Sequence, residues 1–206
     1  MPALLSRDRA VRGRLLLIRH GESVLGRAHR YAGHRDTPLT TLGRAQAADL
    51  RTPLQKFEPD LVYSSDLRRC RDTAALLAPD CAIRVSERLR ELDFGAWDGL
   101  SADACRRRDP ERFDRWMRDP WSTRPPDGES LAQLWNRIRT FVAGLVRRFP
   151  DRTLALVTHG GPIRVLLARH RSTFWSTDVP PASVFNLLWD ADDGKVPGSG
   201  RRCAGA

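Results

Sequence analysis

The stretch that decides the fold is Arg14-Leu15-Leu16-Leu17-Ile18-Arg19-His20-Gly21-Glu22-Ser23. Leu15 to Ile18 is apolar at every position, so both faces of an extended segment need cover. That pattern belongs to a central strand with helices on both sides of its sheet. Polarity changes abruptly at Arg19-His20-Gly21, and the glycine lets the chain turn sharply and approach a ligand closely. A second segment repeats the arrangement: Leu154 to Thr158 reads as a strand and runs into His159-Gly160-Gly161. Pro162 then sits at a tolerated first-turn position of a following helix, whose N-terminal N–H groups can face an anion. In such a sheet ligands bind beyond the carboxyl ends of the strands, and both histidines fall there.

Outward from these two segments, strands and helices alternate. Gly21 to Pro38 reads as a loop, and Thr40 or Thr41 can cap a helix running to about Phe57. Leu61 to Tyr63 is a short strand; Ser64-Ser65-Asp66 then starts a helix to about Ala78, and Ala82 to Val85 is another strand. Leu89 to Leu100 reads as a loop, and Ser101 to Arg118 as irregular helix broken by Pro110. A helical period through Leu131, Leu134, Ile138, Phe141 and Leu145 spans Glu129 to Phe149; Pro162 to His170 is a helix and Val184 to Trp189 a last strand. The expected fold is a three-layer α/β/α domain with a mainly parallel central sheet. Residues 1–13 read as a loose lead-in, 14–190 as the domain and 191–206 as a flexible tail. Residues 101–127 are expected to form a short helical insertion over the site.

Composition narrows the function classes. A chain of 206 residues, 41% hydrophobic and 29% charged, fits one globular domain. The net charge of +10 comes almost wholly from arginine, since Lys56 and Lys195 are the lysines. A basic nucleic-acid-binding protein is the reading from another class, but the arginines are dispersed, with no tract longer than Arg106-Arg107-Arg108. Neither nucleic acid nor membrane is an expected partner: no apolar run reaches the length of a membrane span. No signal-peptide core follows Arg7, Arg9 and Arg12, so a cytoplasmic protein is expected. Cys70, Cys81, Cys105 and Cys203 form no C-x-x-C pair and read as free thiols.

Two histidines at strand ends could ligate a metal. A metal site needs three or four ligands, however, and no H-x-x-x-H or H-x-H spacing occurs, so no metal is expected. His29, His34 and His170 lack the strand–His–Gly setting and read as surface or loop residues.

The ordered motifs carry a resemblance. Arg19-His20-Gly21-Glu22, Ser65-Asp66-Leu67-Arg68-Arg69-Cys70-Arg71-Asp72-Thr73, Arg90-Glu91-Leu92-Asp93-Phe94-Gly95-Ala96-Trp97-Asp98-Gly99 and Thr158-His159-Gly160-Gly161 follow one another along residues 14–190. Together they resemble the histidine phosphatase superfamily, also called the phosphoglycerate mutase-like family. The resemblance implies His20 as nucleophile, Glu91 as proton donor and His159 as the second catalytic histidine. It implies Arg19, Arg69, Ser23, Gly33 and Gly160 around the substrate phosphate, a small phosphorylated metabolite as partner, and no cofactor. Many members carry asparagine six residues after the nucleophile, where it helps contact phosphate. Gly26 stands there in this chain, so either one donor is missing or Ser23 or the loop Tyr31-Ala32-Gly33-His34 supplies it.

The chemistry suits these residue types. A phosphomonoester carries nearly two negative charges, and arginine forks match its oxygens without a metal. A neutral imidazole can attack phosphorus in line and form a phosphohistidine, while donors on the equatorial oxygens stabilise the transition state. Glu91 can protonate the poor leaving alcohol and then deprotonate the hydrolytic water; Asp93 and Asp98 are the neighbouring carboxylates. Glu91 and His159 are only 68 positions apart (159 − 91), and the arginine- and lysine-bearing insertion of the family's mutases is absent. A phosphatase is therefore expected ahead of a phosphoglycerate mutase. Three segments, Tyr31 to Thr40, Phe113 to Pro120 and Pro125 to Ser130, look like α-ribazole phosphatases. A broad, sugar-phosphate or phosphoglycerate phosphatase is the alternative.

Overall fold

A computed structural model describes residues 13–168, 173–189 and 201–203. The expectations for the lead-in before residue 13, for His170 and for tail residues 191–200 and 204–206 lie outside the described residues. In chain order the elements are β1 (Gly13–Arg19), α1 (Val24–Arg27), α2 (Thr41–Asp49), α3 (Arg51–Gln55), β2 (Leu61–Ser64), α4 (Arg68–Leu77) and β3 (Ile83–Val85). They continue with α5 (Ala102–Arg108), α6 (Pro110–Arg118), α7 (Leu131–Arg148), β4 (Thr153–Thr158), α8 (Gly160–Leu167), β5 (Val184–Trp189) and β6 (Arg201–Cys203).

The strands form one sheet in the order β3-β2-β4-β1-β5-β6. The first four run parallel, and β5 and β6 close the other side antiparallel. The apolar run of β1 does what its composition requires. Leu15 and Leu17 point into a core built with α7 and α8, while Leu16 and Ile18 point into a second core under α3 and α4. Strand β4 divides its residues the same way, with Leu154 and Leu156 on one face and Ala155 and Val157 on the other. Two apolar layers on opposite faces of one sheet make the three-layer architecture.

Local departures have local causes. The helix expected from residue 41 to 57 breaks at Leu50 into α2 and α3. Pro53 lacks the N–H that would bond the Asp49 carbonyl, and its ring crowds that carbonyl. The break expected at Pro110 separates α5 from α6, with Pro110 opening α6 and Asp109 capping the Arg112 N–H. Helix α7 opens on a capping box between Ser130 and Gln133. Three residues of the expected tail, Arg201–Cys203, pair antiparallel with β5 and extend the sheet by one strand.

Helix α6 packs as a wedge of aromatic rings. Trp116 of α6 is fully buried and meets Tyr31, Phe94 and Trp97 edge-on, with centroids 5.9, 6.1 and 5.7 Å away. Those three residues sit on the loops after β1 and β3, so α6 braces the two loops that carry Gly33 and Glu91. Among the described residues no helix is long and apolar enough to cross a membrane.

Candidate active site

Strands β1 and β4 are adjacent and in register, Arg19 opposite Thr158, so the residues that follow them meet. The His20 N–H donates to the Thr158 carbonyl at 3.0 Å. The two imidazoles stand edge-on, with ring centroids 5.0 Å apart. His20 Nδ1 lies 2.7 Å from the Gly21 carbonyl, an acceptor, so Nδ1 carries the proton and the Nε2 lone pair is free. His159 has the opposite tautomer. Arg69 Nε donates to its Nδ1 at 3.2 Å, and Nε2–H donates to Ser65 Oγ at 3.0 Å.

Both histidines are kept neutral. Burial pushes each imidazole well below 6.5, and the positive charge of Arg69 and Arg19 pushes further in the same direction. In the unfolded chain both protonate near 6.5, so their contribution to stability is intact above that value. It declines as pH falls below 6.5, by about 1.4 kcal/mol per pH unit for each histidine until its own folded pKa is reached. Urea unfolding followed from pH 8 to pH 5 should show this slope, and His20→Gln should remove about half of the histidine contribution. An unchanged slope in the variant would mean that His20 is not neutral when buried.

Arg19 lies half-buried beside the His20 loop. Its Nη1 donates to the Val179 carbonyl, and its Nε is buried with no partner among the described residues. Burial lowers its pKa, opposed by the negative charge of Glu91. Arg69 is fully buried and more committed than its expected role requires. Besides His159 it donates through Nη1 to the Arg35 carbonyl at 3.1 Å, and through Nη2 to the Ala32 and Gly33 carbonyls at 2.9 and 2.7 Å. One Nη1–H remains. A two-pronged grip on phosphate therefore requires some of these loop carbonyls to let go.

The Glu91 carboxylate is seated at the start of α8. Gly161 N–H donates to both its oxygens, at 3.0 and 3.1 Å, and Leu92 N–H donates to Oε1 at 2.8 Å. A Cβ on residue 161 would lie 2.1 Å from Oε1, so the close seat exists because the residue is glycine. The carboxylate also sits where the helix dipole favours negative charge. The neighbouring carboxylates are occupied elsewhere. Asp98 accepts the Gly33 and Arg35 N–H groups at 2.9 and 2.7 Å, and Asp93 accepts the Gly95 N–H at 2.8 Å.

The other expected phosphate-site residues are placed as follows. Ser23 caps α1, its Oγ accepting the Gly26 N–H at 3.2 Å, which ties Ser23 to Gly26. Gly33 gives its N–H to Asp98 and its carbonyl to Arg69, so it holds the loop instead of presenting a free donor. Gly160 heads α8, where first-turn N–H groups have no intrahelical partner, and a Cβ on it would lie 3.0 Å from Arg164 Nη1 and 3.7 Å from the Arg19 guanidinium. Glu22 accepts the Thr40 hydroxyl at 2.7 Å and orders the loop. Ser65, Arg164 and Arg137 also belong to the neighbourhood although sequence reasoning did not single them out. Among the described residues no group of three or more histidine, cysteine or carboxylate side chains is gathered to hold a metal.

Comparison with known proteins agrees with this geometry. Residues 15–199 match the family model described as the histidine phosphatase superfamily, branch 1. The chain is similar to phosphoserine phosphatase 1 of Hydrogenobacter thermophilus, 34% identical over 176 residues, covering 82% of this chain and 83% of the relative. It is similar to the adenosylcobalamin/alpha-ribazole phosphatase of Escherichia coli, 34% identical over 158 residues and covering 76% and 78%. Its fold superposes on the mycobacterial glucosyl-3-phosphoglycerate phosphatase in complex with VO3, with a TM-score of 0.74 and 36% identity over 84% of this chain and 92% of that one. The chain is thus a phosphatase and belongs to branch 1 of the histidine phosphatase superfamily.

Proposed function

We propose that His20 attacks the phosphorus of a small phosphomonoester and that Glu91 supplies and later recovers the proton. The observation that carries this reading is the fixed tautomer of His20: a neutral Nε2 lone pair held among the positive charges of Arg19 and Arg69. As the phosphate dianion enters, its charge favours protonation of the Glu91 carboxylate. In the first step the Nε2 lone pair then forms the N–P bond, the P–O bond to the alcohol breaks, and the Glu91 proton goes to the leaving oxygen. In the second step Glu91 takes a proton from water, the water oxygen bonds to phosphorus, and the N–P pair returns to His20. Arg19, the remaining Arg69 N–H and the Gly160 N–H receive the phosphoryl oxygens. His159 transfers its Nε2–H from Ser65 to the same group as the substrate enters.

Within that class we assign α-ribazole 5′-phosphate as first substrate candidate, on the three segments that resemble such enzymes. Sugar phosphates and phosphoglycerates are the second reading, favoured by relatives named for phosphoserine and glucosyl-3-phosphoglycerate at comparable identity. The test is a screen of the purified protein against about a hundred phosphomonoesters, with p-nitrophenyl phosphate as the generic substrate. Because arginines neutralise the phosphoryl group, turnover should stay within about twofold in EDTA, unlike that of enzymes whose metal holds this charge. Loss of activity on chelation, restored by one divalent metal, would overturn the mechanism. Preference for a ribazole phosphate over serine, sugar and glycerate phosphates would decide between the substrates.

A further inference from the structure

Arg137 lies on α7, whose apolar face places Leu134 and Ile138 in the core with no exposed surface. Its guanidinium is used completely. Nε donates to Glu129 Oε1 at 3.1 Å, and Nη1 donates to the Arg88 and Arg90 carbonyls at 2.9 and 3.0 Å. Nη2 donates to the Glu91 carbonyl at 3.1 Å and to Glu129 Oε2 at 2.8 Å. Those are all the donors an arginine has. Glu129 Oε2 in turn accepts the Asp93 N–H at 3.5 Å, and His34 Nε2 meets the Glu91 carbonyl at 3.1 Å.

An ordinary ion pair would need only the carboxylate. Here three of the five bonds go to main-chain carbonyls of the irregular segment that ends in Glu91, where no strand or α-helix ladder fixes the backbone. The pair is sheltered, with the Arg137 and Glu129 side chains 22% and 15% exposed, so competition from water is weak. Arg137 thus ties the position of a rigid, core-anchored helix to the backbone of the acid segment. Proton transfer needs the carboxyl within hydrogen-bond reach of the leaving oxygen, and small displacements are costly.

We infer that Arg137 is a positioning residue for proton transfer: by clasping the Arg88, Arg90 and Glu91 carbonyls it aims the Glu91 carboxyl at the leaving oxygen. The inference rests on the acid role proposed above for Glu91. It predicts an effect that depends on the leaving group, which a merely structural role would not give. Lysine keeps the charge beside Glu129, but its single ammonium cannot span the carbonyls.

The experiment uses Arg137→Lys in the full chain, with folding checked by thermal unfolding, and measures single-turnover phosphoenzyme formation. An alkyl phosphate should lose at least about 10-fold, and p-nitrophenyl phosphate less than about twofold. Because Arg137 acts through Glu91, the double variant Arg137→Lys/Glu91→Gln should lose no more than Glu91→Gln alone. Glu129→Gln, which keeps the shape and removes the charge, should give the same leaving-group pattern with a smaller loss. Equal losses on both substrates, no loss on either, or a loss that multiplies that of Glu91→Gln would overturn the role of Arg137. Equal losses in Glu91→Gln itself would overturn the acid assignment, and the inference with it.

Discussion

Protein exposed briefly to a labelled phosphomonoester and quenched in alkali carries its label on His20, and His20→Ala carries none. The alkaline quench is needed because phosphohistidine survives base and decays in acid. The expectation follows from the tautomer: with Nδ1–H donated to the Gly21 carbonyl, only Nε2 has a lone pair to offer. Burial and the two nearby arginines keep that lone pair unprotonated, so it is available through neutral and mildly acidic pH. Without the nucleophile a poised water would have to attack directly, and turnover should fall by on the order of 10⁴-fold or more. Below pH 6.5 the change also removes the cost of keeping a buried imidazole neutral. Label that persists undiminished in His20→Ala would transfer the role to another residue, His159 being the first to test.

Glu91→Gln should separate substrates by their leaving groups. The amide keeps the shape of the side chain but has no proton to deliver. Alkyl phosphates, whose alcohols leave poorly, should lose roughly 10²–10⁴-fold in phosphoenzyme formation, the usual contribution of a positioned acid. An aryl phosphate with an acidic phenol should lose far less, because its oxygen needs little protonation. Arg19→Ala provides the contrast: it removes positive charge from the phosphoryl oxygens, which the two reactions share, and should slow both alike. Single-turnover measurements are required, since Glu91 also serves the later water step. Equal losses in Glu91→Gln would reject the acid role. Asp98 and Asp93 are poor substitutes, because each is already bound to loop N–H groups.

Much of this protein is written locally. Four consecutive apolar residues before Arg19-His20-Gly21 demand a strand covered on both faces, and the sheet places Leu15, Leu17, Leu16 and Ile18 accordingly. Because strand ends, glycines and histidines adjoin in the chain, the meeting of His20 and His159 was also legible. Side-chain commitments were not. Ser65 reaches His159 across 94 residues, and Arg137 reaches Glu91 across 46, with neither partner marked by any periodicity. The family resemblance made Arg69 a phosphate fork, and packing turns most of its donors onto the loop carbonyls of Ala32, Gly33 and Arg35. Hydrophobic patterning specifies which face of an element is buried. Which donor meets which acceptor depends on how several elements pack at once, so only the tertiary structure decided the tautomers, the seat of Glu91 on α8 and the brace behind it.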